Sequence, residues 1–186
     1  MMDKLPLSRV YRFIEPGPVV LVTTVQKKER PNIMTMSYHM VMDDGVPPLI
    51  GCMIGPWDHS FEALCLTGEC VIAVPTVDLA TKVVEIGNCS GADIDKFETF
   101  SLTPVPAKKI KPPLVAECLA NFECRVKDDS LVERYNMFVM EVVEAWVDPG
   151  RKERRVIHHR GDGTFVVDGR ILNLKKKMVK WPTYVQ

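Results

Sequence analysis

Apolar residues fall in short runs rich in Val, Ile and Thr, cut at close intervals by Gly and Pro. That spacing predicts many strands and few helices. Val19 to Val25 (VVLVTTV) is the first strand, after the turn Glu15-Pro16-Gly17-Pro18. Gln26 to Arg30 reads as a hairpin loop, and Asn32 to Met42 resumes in extended form. The Asp43 to Pro48 turn leads into a buried strand at Leu49 to Ile54. Asp58, His59 and Ser60 form a cap-like cluster, and FEALCL after it fits one short helix that Gly68 ends. Cys70 to Val74 is another strand, stopped by Pro75. Asp78 to Ile86 places Leu79, Val83 and Ile86 on one helical face. Asp95 to Phe100 is a further helical turn or loop.

Thr103 to Pro113 holds four prolines in eleven residues and is therefore largely extended. Ala116 to Lys127 then alternates in part. Cys118, Ala120, Phe122, Cys124 and Val126 share one face, while Glu117, Asn121, Glu123, Arg125 and Lys127 tend to the other. Period two predicts a half-buried antiparallel strand, with Asn136 to Val147 as its long partner and Asp128-Asp129-Ser130 beginning the connection. Asp162-Gly163 between strand-like runs is a hairpin signal, and Asp168-Gly169-Arg170 is a second turn. The expected fold is mainly β, a barrel or closed sheet with a few short helices. One domain accounts for all 186 residues.

Composition narrows the function. Twenty-four basic residues balance twenty-four acidic ones, which gives no support to nucleic-acid or acidic-membrane binding. The Lys175-Lys176-Lys177 run reads as a solvated face. No stretch approaches the roughly 18 apolar residues of a membrane helix. Met1 to Val10 carries charge and Pro6 without an apolar signal core, so a soluble cytoplasmic chain is the expectation. The six cysteines, Cys52, Cys65, Cys70, Cys89, Cys118 and Cys124, contain no CxxC pair and sit mostly in apolar runs. They read as reduced, buried hydrophobes rather than zinc ligands or disulfides.

Asn-Ile-Met-Thr-Met-Ser-Tyr, from Asn32 to Tyr38, resembles the N-x-M-T-x-S-W segment of the flavin reductase-like, FMN-binding split-barrel proteins, flavoredoxin included. The resemblance continues in order. His59-Ser60 stands where the family has a polar pair. Gly68 to Pro75 (GECVIAVP) is similar to G-E-F-V-x-N-x-P, Ser90-Gly91 with Asp95-Lys96-Phe97 to S-G-x…D-K-F, and Pro113 to Cys118 (PLVAEC) to P-L-I-x-E-S/C. It covers roughly residues 10 to 147. It implies an FMN-binding split β-barrel of Greek-key type and a homodimer.

The ligand so implied has a dianionic phosphate, which needs convergent donors. Thr35, Ser37 and Ser60 offer hydroxyls, and His59 and Lys96 offer donors or charge. Its flat ring needs apolar walls, for which Met34, Met36, Tyr38, Cys52, Met53 and Ile54 are suited. By resemblance the FMN contacts are carried to Asn32 through Tyr38, to Cys52 through Ile54, and to Ser60 and Lys96. The tail from about residue 150 is expected at the dimer interface, with Phe165 covering the partner's ring.

Plainer readings stand beside these. Ser60 also suits a helix cap, and a helix N-terminus is itself an anion site. Thr23 and Thr24 suit a strand as well as a pocket wall. Met34, Met36, Met40 and Met42 form a period-two row that suits core as well as ring. His39 points away from Tyr38, toward surface or interface. His158 and His159 point to opposite faces, which argues against a metal site.

Two departures bear on activity. Tyr38 replaces the usual Trp but keeps an aromatic face. Arg134-Tyr135-Asn136 stands where many reductases have G-D-H, so that histidine is absent. The resemblance implies an oxidoreductase passing electrons from NAD(P)H or a protein donor through FMN. The alternatives are a flavoredoxin-like electron carrier without NAD(P)H activity, and a non-enzymatic flavin-binding protein. Flavin chemistry needs little from side chains, so no catalytic residue is assigned.

Overall fold

Only Ser37 and Tyr38 separate strand β2 (Asn32–Met36) from β3 (His39–Asp43), yet the two lie at opposite edges of one seven-stranded sheet. Two linking residues span only about 10 Å, so the edges come side by side and the sheet curls on itself. The computed structural model describes residues 5–13, 17–26 and 30–174. Within it the strand order is β2-β1-β5-β8-β9-β4-β3. The remaining strands of this sheet are β1 (Val20–Thr24), β4 (Leu49–Met53), β5 (Glu69–Val74), β8 (Ala120–Asp128) and β9 (Met137–Val147). Every ladder is antiparallel. β2 and β3 share no ladder, which leaves the barrel split at that seam. The continuous extended segment expected over Asn32 to Met42 is thus two strands joined by a corner. The Lys175-Lys176-Lys177 run, Glu15-Pro16 of the first turn and the centre of the Gln26 to Arg30 loop lie outside the described residues.

Period two in β1 sorts the core into two layers. Val20 and Val22 face inward, joining Met36, Cys52, Ile54, Ile72, Cys124, Phe138 and Met140. Strands far apart in the sheet order contribute to that one cluster, as a curled sheet requires. Val19 and Leu21 face outward, joining Ile33, Val71, Ala73, Val83, Ile86 and Phe97 beneath the helices. β1 is therefore buried on both faces, which explains its uninterrupted apolar run.

The helices are short. α1 (His59–Thr67) ends at Gly68, whose φ of 64° is the left-handed conformation that glycine adopts freely, and whose N–H bonds the Leu64 carbonyl. α2 (Ala80–Gly87) follows a 3-10 turn at Val77–Leu79 and buries Val83 and Ile86. α3 (Lys96–Thr99) is a single turn, capped by Asp95, which accepts from the Glu98 N–H. α4 (Val132–Tyr135) leads into β9 through Asn136 at φ 54°. Two small ladders complete the fold. β6 (Pro104–Val105) pairs with β7 (Leu114–Val115), and β10 (Ile157–His159) with β11 (Phe165–Val167).

One expectation is corrected by β8. Phe122, Cys124 and Val126 face the inner cluster, as alternation predicts. The opposite face is exposed at Arg125 and Lys127, as expected, but covered nearer its start: Asn121 is 7% exposed and Glu123 0%. The proline-rich segment lies across it, and its backbone donors need partners. Asn121 accepts from the Val115 N–H at 2.8 Å and donates to the Val115 carbonyl at 3.1 Å. Glu123 accepts from the Lys108 and Lys109 N–H groups at 2.9 and 2.6 Å. Polar residues are on this face to satisfy a covering loop.

The C-terminal segment folds back on its own chain. The Ile157 carbonyl accepts from the Val19 N–H at 2.8 Å, and the Arg155 carbonyl from the Val77 N–H at 2.9 Å. Arg151 reaches Thr76 Oγ1 at 2.9 Å and Asp78 Oδ2 at 2.8 Å. Phe165 and Val167 pack on the outer core layer.

Candidate functional site

α2 lies on β2, tied to it by Thr35 Oγ1, which donates to the Val83 carbonyl at 2.5 Å. Where α2 ends, the chain turns through Asn88 to Gly91 and leaves a polar cleft of about 210 Å³ between that turn and β2. Asn32, Met34 and Thr35 line one wall, Trp57, Asp58 and His59 a second, and Ile86 to Gly91 with Lys96 the third. A second, mostly apolar cleft of about 140 Å³ adjoins it, lined by Val19, Thr35, Ser37, Val83, Val84, Gly87, His159 and Phe165. Thr35 and Gly87 belong to both. Neither alone reaches the roughly 300 Å³ at which ligand pockets begin; side by side they set a polar cleft against an apolar one.

The polar cleft is short of partners. Lys96, the first residue of α3, is 4% exposed. Its Nζ donates to the Ile86 carbonyl at 2.9 Å, and among the described residues it forms no salt bridge. Burial pushes its pKa down, with the weaker fields of Cys89 and Asp58 acting the other way. A buried ammonium with three donors and one protein acceptor beside a polar cleft is a seat for an anion. Asn32 is 9% exposed. Its amide nitrogen is 2.9 Å from Ser60 Oγ, while its Oδ1 is buried without a partner among the described residues. A Cβ added at Gly91 would collide with Oδ1, so glycine is what allows the turn to close over Asn32. Asp58 Oδ2 accepts from the Gly55 N–H at 3.0 Å, and the Trp57 ring lies where a Gly55 Cβ would be.

The structure brings Asn32, Met34, Thr35, His59 and Lys96 to the polar cleft, and Ser37 and Phe165 to the apolar one. It separates the others. Met36, Cys52 and Ile54 are 4%, 1% and 1% exposed, with side chains in the barrel interior, because alternation turns these positions inward. Burial, reinforced by the neighbouring Cys124, pushes the Cys52 thiol far above its ordinary range. Ser60 is enclosed at 1% exposure and lines neither cleft. Thr35 spends its proton on the Val83 carbonyl, so it offers a ligand lone pairs rather than a hydroxyl donor. Tyr38 and Met53 are exposed, beside Met40, Val41 and Met42 of β3.

Among the histidines, His39 bonds the Pro18 carbonyl at 2.7 Å. His158 bonds Asp168 at 3.2 Å, and His159 lies against Phe165 with ring centres 5.1 Å apart and planes tilted by 40°. Trp57, Asp58, the Gly87 to Cys89 turn and His159 escape the sequence reading as site residues. The Ser90-Gly91 pair was the available signal for the turn. His159 carries none, since its place depends on a hairpin docking onto a distant helix.

The flavin reductase like domain model matches residues 11–165. An uncharacterized protein of Archaeoglobus fulgidus is 36% identical over 126 residues, 68% of this chain and 71% of its own length. The uncharacterized protein YddH of Escherichia coli is 31% identical over 179 residues, 89% and 94% of the two chains. In fold, the chain is similar to flavoredoxin of Desulfovibrio vulgaris (TM-score 0.81, 23% identity, 93% and 96% covered). It is also similar to an FMN-binding domain of flavin reductase-like enzymes from Shewanella baltica (TM-score 0.77, 24% identity, 92% and 96% covered). With the domain matched over most of its length, the chain belongs to the flavin reductase-like domain family.

Proposed function

We propose that the protein is an FMN-binding oxidoreductase that takes electrons from NAD(P)H or a protein donor and passes them on through the bound flavin. The observation that carries this is the buried Lys96 ammonium, without a salt bridge among the described residues, at a polar cleft that adjoins an apolar one. A phosphate monoester on a flat ring system has that same division. Lys96, Asn32 and His59 would hold the phosphate, while Val83, Val84 and Phe165 would wall the ring. Bound FMN supplies hydride and single-electron transfer at its ring. The protein contributes position, exclusion of water and hydrogen bonds. No acid–base residue is required.

Family relationship and the FMN-binding neighbours support this reading. Phe165 acts in cis in this arrangement, since its hairpin rests on its own chain. The exposed apolar residues Tyr38, Met40, Val41, Met42 and Met53 along the barrel seam are the surface we assign to a second copy in a homodimer. Among the described residues no helix is long and apolar enough to cross a membrane, and a cytoplasmic location is part of the proposal.

A second reading, an electron carrier without NAD(P)H activity, is favoured by the end of α4. Arg134 packs 5.2 Å over the Tyr135 ring, and Asn136 gives its carbonyl to the Ile54 N–H at 2.9 Å. No imidazole stands there. Anaerobic absorbance at the flavin band separates the two. Bleaching within seconds of adding NADH or NADPH supports the reductase, and bleaching only with a reduced protein donor supports the carrier. A purified protein that neither carries nor binds FMN ends both. Gly91→Ala is expected to weaken FMN binding by about tenfold or more, because the new methyl displaces Asn32; titration of flavin fluorescence measures it.

A further inference from the structure

Trp57 is 75% exposed, yet its seat is built. It stands in the turn from Gly55 to Asp58, which is closed twice. The Asp58 N–H donates to the Gly55 carbonyl at 2.9 Å, and Asp58 Oδ2 accepts from the Gly55 N–H at 3.0 Å. The indole folds back over Gly55. A Cβ at that position would be nearly equidistant from three consecutive ring atoms, Cε2, Cζ2 and Cη2. A point beside a ring's edge is much closer to one atom than to its neighbours, so this position lies above the ring face. One face of the indole therefore rests on the Gly55 backbone, and the exposure belongs to the other face and the edges. Trp57 lines the polar cleft and not the apolar one. With the flavin ring in the apolar cleft and its phosphate at Lys96, the indole stands at the phosphate end of the ligand. FMN ends there and has nothing flat to lay on an indole. FAD continues past that point with a second phosphate and an adenosine.

We propose that Trp57 is an adenine platform and that the protein takes FAD as well as FMN, with the adenine stacked on the outward face of the indole. The inference rests on the FMN reading of the two clefts and extends it to the dinucleotide. His59 lines the polar cleft beside Trp57 and also a small adjoining recess, which it shares with Arg30. Arg30 donates to the Gly91 carbonyl at 3.3 Å and forms no salt bridge among the described residues. A guanidinium has five donors, so most of them are left for the second phosphate. Gly55 is a positioning residue: a methyl there takes the space that the indole occupies. Stacking a base on an aromatic side chain needs no contact with the base edge, and truncating the ring costs a factor of about 5 to 150 in affinity.

The test measures FMN and FAD dissociation constants for the full chain by flavin fluorescence, with sedimentation to follow the assembly. Wild type is expected to bind FAD at least as tightly as FMN. Trp57→Ala lowers FAD affinity about tenfold or more and changes FMN affinity less than about threefold. Trp57→Phe keeps a ring and recovers most of the loss. Gly55→Ala keeps the indole but unseats it, and costs FAD affinity about three- to tenfold. If Gly55→Ala does not fold, the two Trp57 variants decide. Wild type that binds FMN and excludes FAD overturns the inference, and so does a Trp57→Ala protein that loses both flavins equally. Unchanged FAD affinity in Trp57→Ala overturns it too. A raised KM for NADH would then give the indole to that dinucleotide's adenine, and a change of assembly on sedimentation would give it to a second copy of the chain. A wild-type protein that binds neither flavin overturns the FMN reading along with it, an outcome distinct from the others.

Discussion

Glu123→Ala destabilises the fold by about 3–5 kcal/mol, the range for stripping the acceptor from a buried, charge-assisted network. The carboxylate is 0% exposed. It accepts from the Lys108 N–H at 2.9 Å, the Lys109 N–H at 2.6 Å and the Trp146 Nε1–H at 2.8 Å. One side chain of β8 therefore ties down both the proline-rich cover and the neighbouring strand β9. Alanine leaves those donors without their acceptor, and the cover has few other ways to satisfy its backbone. Glu123→Gln keeps the volume but turns an amide toward N–H donors, so an intermediate loss of about 1–3 kcal/mol follows. The acid limb of the stability curve carries a second signature. Burial by itself raises the carboxyl's pKa, but the donors of Lys108, Trp146, Lys109 and Ile110 more than offset it and hold it below the ordinary value of 4.5. A depressed folded-state value means that the stabilisation is complete above the unfolded value and is lost as pH falls through the folded one. Urea unfolding at pH 7 and near pH 3 measures both effects. A Glu123→Ala protein as stable as wild type at pH 7 would remove the carboxylate from its structural role.

The strands and helix ends were legible because local rules govern them. VVLVTTV announces a strand buried on both faces, and Gly68 announces a helix stop. The curl of the sheet is not written locally. It follows from β2 and β3 lying at opposite edges across a two-residue corner, a pairing of residues distant in sequence. Asn121 and Glu123 misled for the same reason: alternation marks a polar face, and only the docking of the proline-rich segment turns that face inward. The resemblance points to a stretch of chain that lines the cleft, but neither residue type nor alternation says which of its side chains reach it. Asn32, Met34 and Thr35 reach the cleft, while Met36, Cys52 and Ile54 turn into the barrel. By residue type Ser60 suits a phosphate or a helix cap, but in the fold it is 1% exposed and meets Thr24 and Asn32. Nothing in its residue type distinguishes Lys96 from a surface lysine, and its neighbours in Asp-Lys-Phe supplied the only hint.

Lys96→Met is expected to move stability and affinity in opposite directions. The ammonium is 4% exposed and holds one carbonyl, Ile86 at 2.9 Å, with no carboxylate in ion-pair contact among the described residues. A buried charge so poorly compensated costs the ligand-free protein more than the single bond returns, and methionine fills similar space without that cost. The ligand-free variant should hold its stability or gain up to about 2 kcal/mol. Burial lowers the lysine's folded pKa beneath its ordinary 10.5. The unfolded chain therefore keeps its proton at pH values where the folded one has released it, and wild-type stability recovers as pH rises through the folded value toward 10.5. The Met variant loses that alkaline recovery. FMN affinity moves the other way, by about 2–3 kcal/mol, or roughly 30- to 150-fold, because the phosphate loses the counter-charge that made the cleft selective. Riboflavin, lacking the phosphate, should bind the two proteins alike. If the ammonium were merely a tie for the end of α2, methionine would lower stability and leave FMN binding unchanged, so the signs of the two effects decide whether Lys96 is buried for the fold or for the ligand.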